Sequence, residues 1–310
     1  MIGKVILFDE VMKETTMLKV TDNNLYGIKK SIIFYFYENP DNEQIKDLIL
    51  KFKEMCEPEF LYYRYMNADF RVIKNKSKWD DLLVKKLLMS NYRDTVTFSM
   101  TDSTKDSLQK SLISFCLREI NNRLSYMPNQ IYFECEKNIS WEKIYSFIQK
   151  ANQIGKYYYI SAGFNIATNN QLYPQSVAKG VKEVQRYRVF GEFKTILDNG
   201  NFKAKLREGI EGPNIIQMLN EDIYQKIGLE SFRKAAQEGI LDYKLEKEGI
   251  LISIINNDLD VENNEIDIEL VDFRMKKLYE FLKPIILKIK KPTMFWKADE
   301  WERWMNRYEE

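Results

Sequence analysis

With 45% hydrophobic and 30% charged residues over 310 positions, and only 12 Gly and 7 Pro, the chain has the make-up of a folded globular protein, which excludes a disordered or fibrous one. Its 47 Lys and Arg nearly cancel 46 Asp and Glu, so it lacks the net positive field of a non-specific nucleic-acid or membrane binder. The absence of histidine excludes Ser-His and Cys-His nucleophile pairs and histidine-ligated metals, leaving carboxylate, lysine or tyrosine chemistry to any enzyme.

The N-terminal MIGKVILFDEVMKE is interrupted by acids before a signal-peptide core forms, and no apolar run approaches the roughly 18 residues of a membrane span. A soluble, cytoplasmic protein with no membrane partner is expected. Ser31 to Tyr37, SIIFYFY, is an apolar, β-branched and aromatic run of strand length, followed by the turn signal ENPDN. Over 42–57, Ile45, Leu48, Ile49, Phe52 and Met55 recur at helical spacing behind Asp41, a suitable N-cap. The alternation continues with a strand over 59–66, a helix over 77–89 and a strand over 94–100. The stretch 107–120, SLQKSLISFCLREI, reads as a helix. In QIYFECE, 130–136, Ile131, Phe133 and Cys135 alternate with Tyr132 and Glu134 as in a strand, and SWEKIYSFIQKANQIG is a helix capped by Ser140 and closed by Gly155. Cys135 joins Cys56 and Cys116 as three widely spaced cysteines that offer neither a CxxC metal site nor a full disulfide framework; they are expected to be reduced and mostly buried.

Tyr157 to Ala167 is a further strand in which Gly163 marks a bulge or a close backbone approach. A helix is expected over 175–186, then a glycine-containing, loop-rich junction over 188–214. Pro213 opens an expected helix that runs through IIQMLNEDIYQKIG to Gly228, and LESFRKAAQEG makes another, ending at Gly239. LDYKLEK and ILISII, separated by Glu248 and Gly249, read as an antiparallel hairpin. Residues 258–272 then carry seven acids and no base, and 273–291 seven bases and one acid, a distribution that suits the dipole of a helix. The fold class expected is α+β, with mixed or antiparallel sheets and packed helices, in two sub-domains over 1–155 and 156–310.

Candidate chemistry is sparse. The acid-x-Lys tripeptides Glu192-Phe193-Lys194 and Asp242-Tyr243-Lys244 have the residue types of a metal-dependent nuclease, but a chain this charged produces such tripeptides by chance. Glu134 and Glu136 share a strand face and read as solvated carboxylates on an edge strand. No phosphate-cradling glycine loop is present in the sequence. No catalytic, cofactor or metal residue is therefore assigned, and a binding protein is favoured. A metal-dependent nuclease or other carboxylate enzyme, and a structural component of a phage or secretion machine, are the alternatives. The closing KPTMFWKADEWERWMNRYEE holds Trp296, Trp301 and Trp304. Because Trp301, Trp304 and Tyr308 recur at i, i+3 and i+7, the tail reads as a short amphipathic helix clasped onto the body.

In the second half, YYYISAGFNIATN, RYRVFG, EGPNIIQMLNEDIYQKIGLESF, KEGILISII, LYEFLKP and WERWMNRYEE follow one another in an order that resembles the bacterial type VI secretion immunity family, the VRR-Nuc-associated immunity proteins. The resemblance spans about residues 157–310. It departs from the family at Arg188-Val189-Phe190-Gly191, which lacks the Pro-Gly and following Asp; at Ile215, where Trp is common; and at 258–272, where acids replace a Gly-Asp turn. The resemblance implies a non-enzymatic inhibitor without cofactors that binds and neutralises a cognate toxin, suggests a nuclease as that toxin, and leaves monomer or homodimer open. Asp258, Asp260, Glu262, Glu265 and Asp267 are then the candidate partner-binding residues, an acidic strip in place of phosphates, with Trp296, Trp301, Trp304 and Tyr308 as the clasp.

Overall fold

The structure is a computed structural model that describes residues 5–7, 26–65, 69–88, 96–103, 109–117, 129–168, 206–255, 265–288 and 297–309. In chain order its elements are β1 (Val5–Leu7), β2 (Tyr26–Glu38), α1 (Asn42–Cys56), β3 (Tyr62–Tyr65), β4 (Arg71–Val72), α2 (Trp79–Leu88), β5 (Val96–Thr101), β6 (Leu112–Leu117), β7 (Asn129–Cys135) and α3 (Trp141–Ala151). There follow β8 (Lys156–Thr168), β9 (Ile216–Asn220), α4 (Glu221–Tyr224), α5 (Leu229–Gln237), β10 (Asp242–Glu246), β11 (Gly249–Ser253), β12 (Glu265–Asp267), α6 (Ile268–Leu282) and α7 (Ala298–Met305).

The two longest strands, β2 and β8, are 13 residues each and form the spine of the molecule. They pair antiparallel from Tyr26 against Thr168 to Glu38 against Lys156. Both are apolar on successive residues because each lies between two other strands with side chains buried on both faces. Around them ten strands form one open sheet in the order β10-β11-β9-β8-β2-β7-β6-β5-β3-β4, with every ladder antiparallel. Strands from either side of residue 155 thus share one sheet, and the α+β class holds. A separate two-stranded sheet pairs β1 with β12.

Two expected helices are strands. Leu112 to Leu117 forms β6 between β5 and β7, and five of its six side chains are buried. Short apolar runs buried on both faces have no period that separates strand from helix, and here the pairing of Leu112 with both Thr101 and Glu134 decides it. Likewise Ile216 to Asn220 forms the fully buried β9, and the following helix α4 starts after Asn220, not at Pro213. Asn220 is the cap: its Oδ1 accepts the Ile223 N–H at 3.1 Å.

One face of the sheet carries α1 and α3. Asp41 caps α1 through a reciprocal pair, its Oδ1 accepting the Gln44 N–H and Gln44 Oε1 accepting the Asp41 N–H, both at 2.8 Å. Phe52 of α1 and Phe147 of α3 meet Phe34 and Phe133 of the sheet with ring centroids 4.6–6.1 Å apart, and burying each ring is worth about 2–3 kcal/mol. Ser140 caps α3, which ends at Ala151 before Gly155 is reached. The expected helix over 175–186, and the junction up to residue 205, lie outside the described residues. No helix among the described residues is long and apolar enough to cross a membrane.

Candidate functional site

Successive strand residues point to opposite faces, and the face away from α1 and α3 is polar through the middle of the sheet. Ser99 of β5 and Ser114 of β6 bring their hydroxyls within 3.1 Å. On β7, Glu134 accepts hydrogen bonds from Gln109 Nε2 at 2.7 Å and from the Tyr132 hydroxyl at 2.6 Å, and Asn165 Nδ2 of β8 donates to that hydroxyl at 2.6 Å. Glu134 is only 2% exposed, which corrects its reading as a solvated carboxylate on an edge strand. β7 lies between β2 and β6, and two donors satisfy the carboxylate where water does not reach. Burial lowers the pKa of neighbouring Lys29, against the pull of Glu136, Glu134 and Asp102. On the opposite face Lys30 is fully buried, donates to the Ile139 carbonyl at 2.7 Å and stands 4.3 Å over the Trp141 ring.

Three of the motifs that carried the family resemblance converge at one place. Gly163, in the SAGF of β8, lies under Asn214 of the GPN turn so closely that a Cβ on it would fall 1.8 Å from Asn214 Oδ1. No bulge lies at Gly163, and what approaches it closely is the Asn214 side chain rather than another backbone; its requirement is space. Asn214 Nδ2 donates to Ser161 Oγ at 2.7 Å, and Gln217 Nε2 to the Gly212 carbonyl at 2.8 Å, fixing the turn on the sheet. Tyr159, Glu211, Pro213, Asn214, Trp304 and Arg307 line a small hollow here, so the closing WERWMNRY reaches the same spot.

That tail is built around Arg307, whose guanidinium carbon lies 4.0 Å from the Trp304 ring centroid and whose Nη1 donates to the Trp304 carbonyl at 3.0 Å. Burial lowers its pKa. Trp301 and Trp304 stack at 5.5 Å and are 3% and 6% exposed, while Tyr308 is fully buried beside Tyr279 of α6. The Tyr279 hydroxyl donates to Glu309 at 3.1 Å, and its pKa is pushed up to about 12 by burial and then by that carboxylate. Trp296 lies outside the described residues, as do Asp258, Asp260 and Glu262. Glu265 and Asp267 are backbone partners of Leu7 and Val5 in the two-stranded sheet.

A cleft of about 500 Å³ opens at the far end of α1, where Glu57, Glu59, Asp102 and Glu136 share its wall with Lys110 and Ser111. Glu57 is the C-cap of α1, and Asp102 is held in place by the backbone N–H of Lys110 at 2.9 Å. Sequence reasoning missed this group because its members come from three separate connections, and the local signal was no more than an acid flanking each element end. Among the described residues, no group of three or more Cys, Asp or Glu is arranged to hold a metal ion.

No family profile matches the chain, and no curated protein matches its sequence. Among solved structures its fold is similar to that of Pseudomonas aeruginosa T6SS protein PA0821, with a TM-score of 0.68 over 92% of this chain and 82% of that one, at 12% sequence identity. At that identity the likeness is one of fold alone.

Proposed function

We propose that the chain is an immunity protein of a type VI secretion system, which binds a cognate antibacterial toxin and neutralises it without catalysis by covering its active or substrate-binding site. The observation that carries this reading is the fold likeness over 92% of the chain to a protein described as T6SS. The motif convergence at Gly163 supports it, because the motifs of the resemblance are joined in space by specific packing contacts and not merely in order. An inhibitor acts through a complementary surface, and a chain without histidine gives up nothing it needs for that.

The acidic sequence of 258–272 and the acid-walled cleft are what best suits a nuclease toxin, whose Lys- and Arg-lined groove is built for phosphates; acidic side chains speed association and compete for such a groove. The test is co-expression. The gene is cloned with its adjacent upstream reading frame in a bacterium lacking both, and survivors are counted with and without it. Rescue together with co-purification supports the proposal, and rescue without a complex, or no rescue, overturns it.

A further inference from the structure

The cleft at the end of α1 sets four carboxylates, those of Glu57, Glu59, Asp102 and Glu136, against one lining cation, Lys110. Among the described residues none of the four has an ion-pair partner. Asp102 is fixed in place: the Lys110 N–H reaches its two oxygens at 2.9 and 3.1 Å, and the Ser111 N–H reaches Oδ1 at 3.3 Å. Ser111 lines the cleft at only 7% exposure, and its hydroxyl has no hydrogen-bond partner among the described residues, an unsatisfied buried group that calls for one. α1 closes on the same cleft with Cys56 and the Glu57 cap, so the partial negative charge of its last carbonyls adds to that of the acids. Lys29, attracted by Glu136 and Asp102 from the sheet, makes no ion pair with them among the described residues, and burial lowers its pKa.

We infer that this cleft binds an organic cation, a guanidinium or alkylammonium group carried on an apolar stem. Among the described residues no three acids are arranged to hold a metal ion, so the charge that matches them is an extended one with several donors. A guanidinium offers such donors to the carboxylates and to the Ser111 hydroxyl, while Leu61 and Ile139 give the stem apolar wall to lie on. A cleft of about 500 Å³ admits the group as a free amine or on a Lys or Arg side chain of another protein. The site goes beyond the immunity reading and does not depend on it; that reading adds a basic toxin groove as one source of the cation.

The test is a titration of the nitrogen-15-labelled full-length protein with agmatine, which carries a guanidinium and an ammonium on a short alkyl stem, followed by amide NMR. The Lys110 and Ser111 amides donate to Asp102 and report on the site. They should shift and saturate at about millimolar agmatine. Affinity should fall about threefold in Ser111→Ala and about tenfold in Glu136→Gln, neither of which removes a side-chain hydrogen bond of the free protein. The neutral 1,4-butanediol should leave both amides unmoved. Shifts that do not saturate, equal shifts with butanediol, wild-type affinity in both variants, or tighter binding of Mg²⁺ at the same amides overturn the inference. The source of the cation is read separately, and each result supports the site. A toxin that displaces agmatine supplies the group itself, a concentration-dependent dimer dissolved by agmatine supplies it from a second copy, and agmatine binding with neither points to a free amine. No agmatine binding beside an intact toxin complex overturns this inference alone, whereas agmatine binding without rescue in co-expression overturns the immunity reading alone.

Discussion

Gly163→Ala probes the contact on which the second half of the chain is assembled. The added Cβ would lie 1.8 Å from Asn214 Oδ1 and 2.7 Å from its Cγ, so the Asn214 side chain must retreat by about 1.5 Å to reach ordinary contact. Retreat breaks the 2.7 Å bond to Ser161 and leaves two buried polar groups unpaired, a loss of about 1–3 kcal/mol. Overpacking beside the sheet adds about 1–3 kcal/mol, for a total of about 2–6 kcal/mol. Urea unfolding followed by tryptophan fluorescence reads this as a lower midpoint at unchanged slope. In the Gly163→Ala, Asn214→Ala double variant the added methyl meets no side chain at this point, so the two losses fall short of additive by about 1 kcal/mol or more. A single variant within about 0.5 kcal/mol of wild type, or full additivity, would refute the reasoning.

Truncation before Lys297 removes Trp301, Trp304 and Tyr308, all buried, and should lower stability and not only toxin affinity; Trp301→Ala alone is expected to cost about 3–5 kcal/mol in the same unfolding assay. Glu134→Ala removes the acceptor of Gln109 Nε2 and of the Tyr132 hydroxyl and should cost about 3 kcal/mol, whereas Glu134→Gln keeps one acceptor and costs less. Burial pushes the Glu246 carboxyl up, but hydrogen bonds from Lys244, Gln149 and Asn152 outweigh it and hold its pKa below the ordinary range. A carboxylate depressed in the folded state contributes stability above its unfolded pKa and loses it as pH falls through the folded one. The stability difference between wild type and Glu246→Gln should therefore shrink on acidification below about pH 4.5. Reversing Asp258, Asp260 and Glu262 to Lys should slow toxin association and flatten its dependence on salt, measured by surface plasmon resonance across ionic strengths.

The sequence made some elements plain and concealed others for identifiable reasons. α1, α3 and the β10–β11 hairpin each carry a local signal: Asp41 with its stripe, Ser140 with its stripe, a two-residue turn. β6 and β9 carry none, because strands buried on both faces lose the alternation that marks a half-exposed strand, and Pro213 with Gly228 imitates helix boundaries around what is mostly strand. Glu134 was misplaced for a related reason. Whether a strand is central or at an edge depends on partners distant in the chain, so a buried carboxylate and a solvated one look the same in sequence. Gly163, by contrast, announced a close approach, although its partner Asn214 became visible only in space. The acid-walled cleft gathers residues from connections that no local window joins.

The central claim, neutralisation by binding, is tested most directly by titrating a fixed amount of the purified toxin with this protein and following toxin activity. Stoichiometric inhibition predicts a linear loss that reaches zero near one equivalent and returns when the complex is separated under denaturing conditions and the toxin refolded. Full activity in excess protein would contradict the account, and so would abolition far below one equivalent, which requires catalysis.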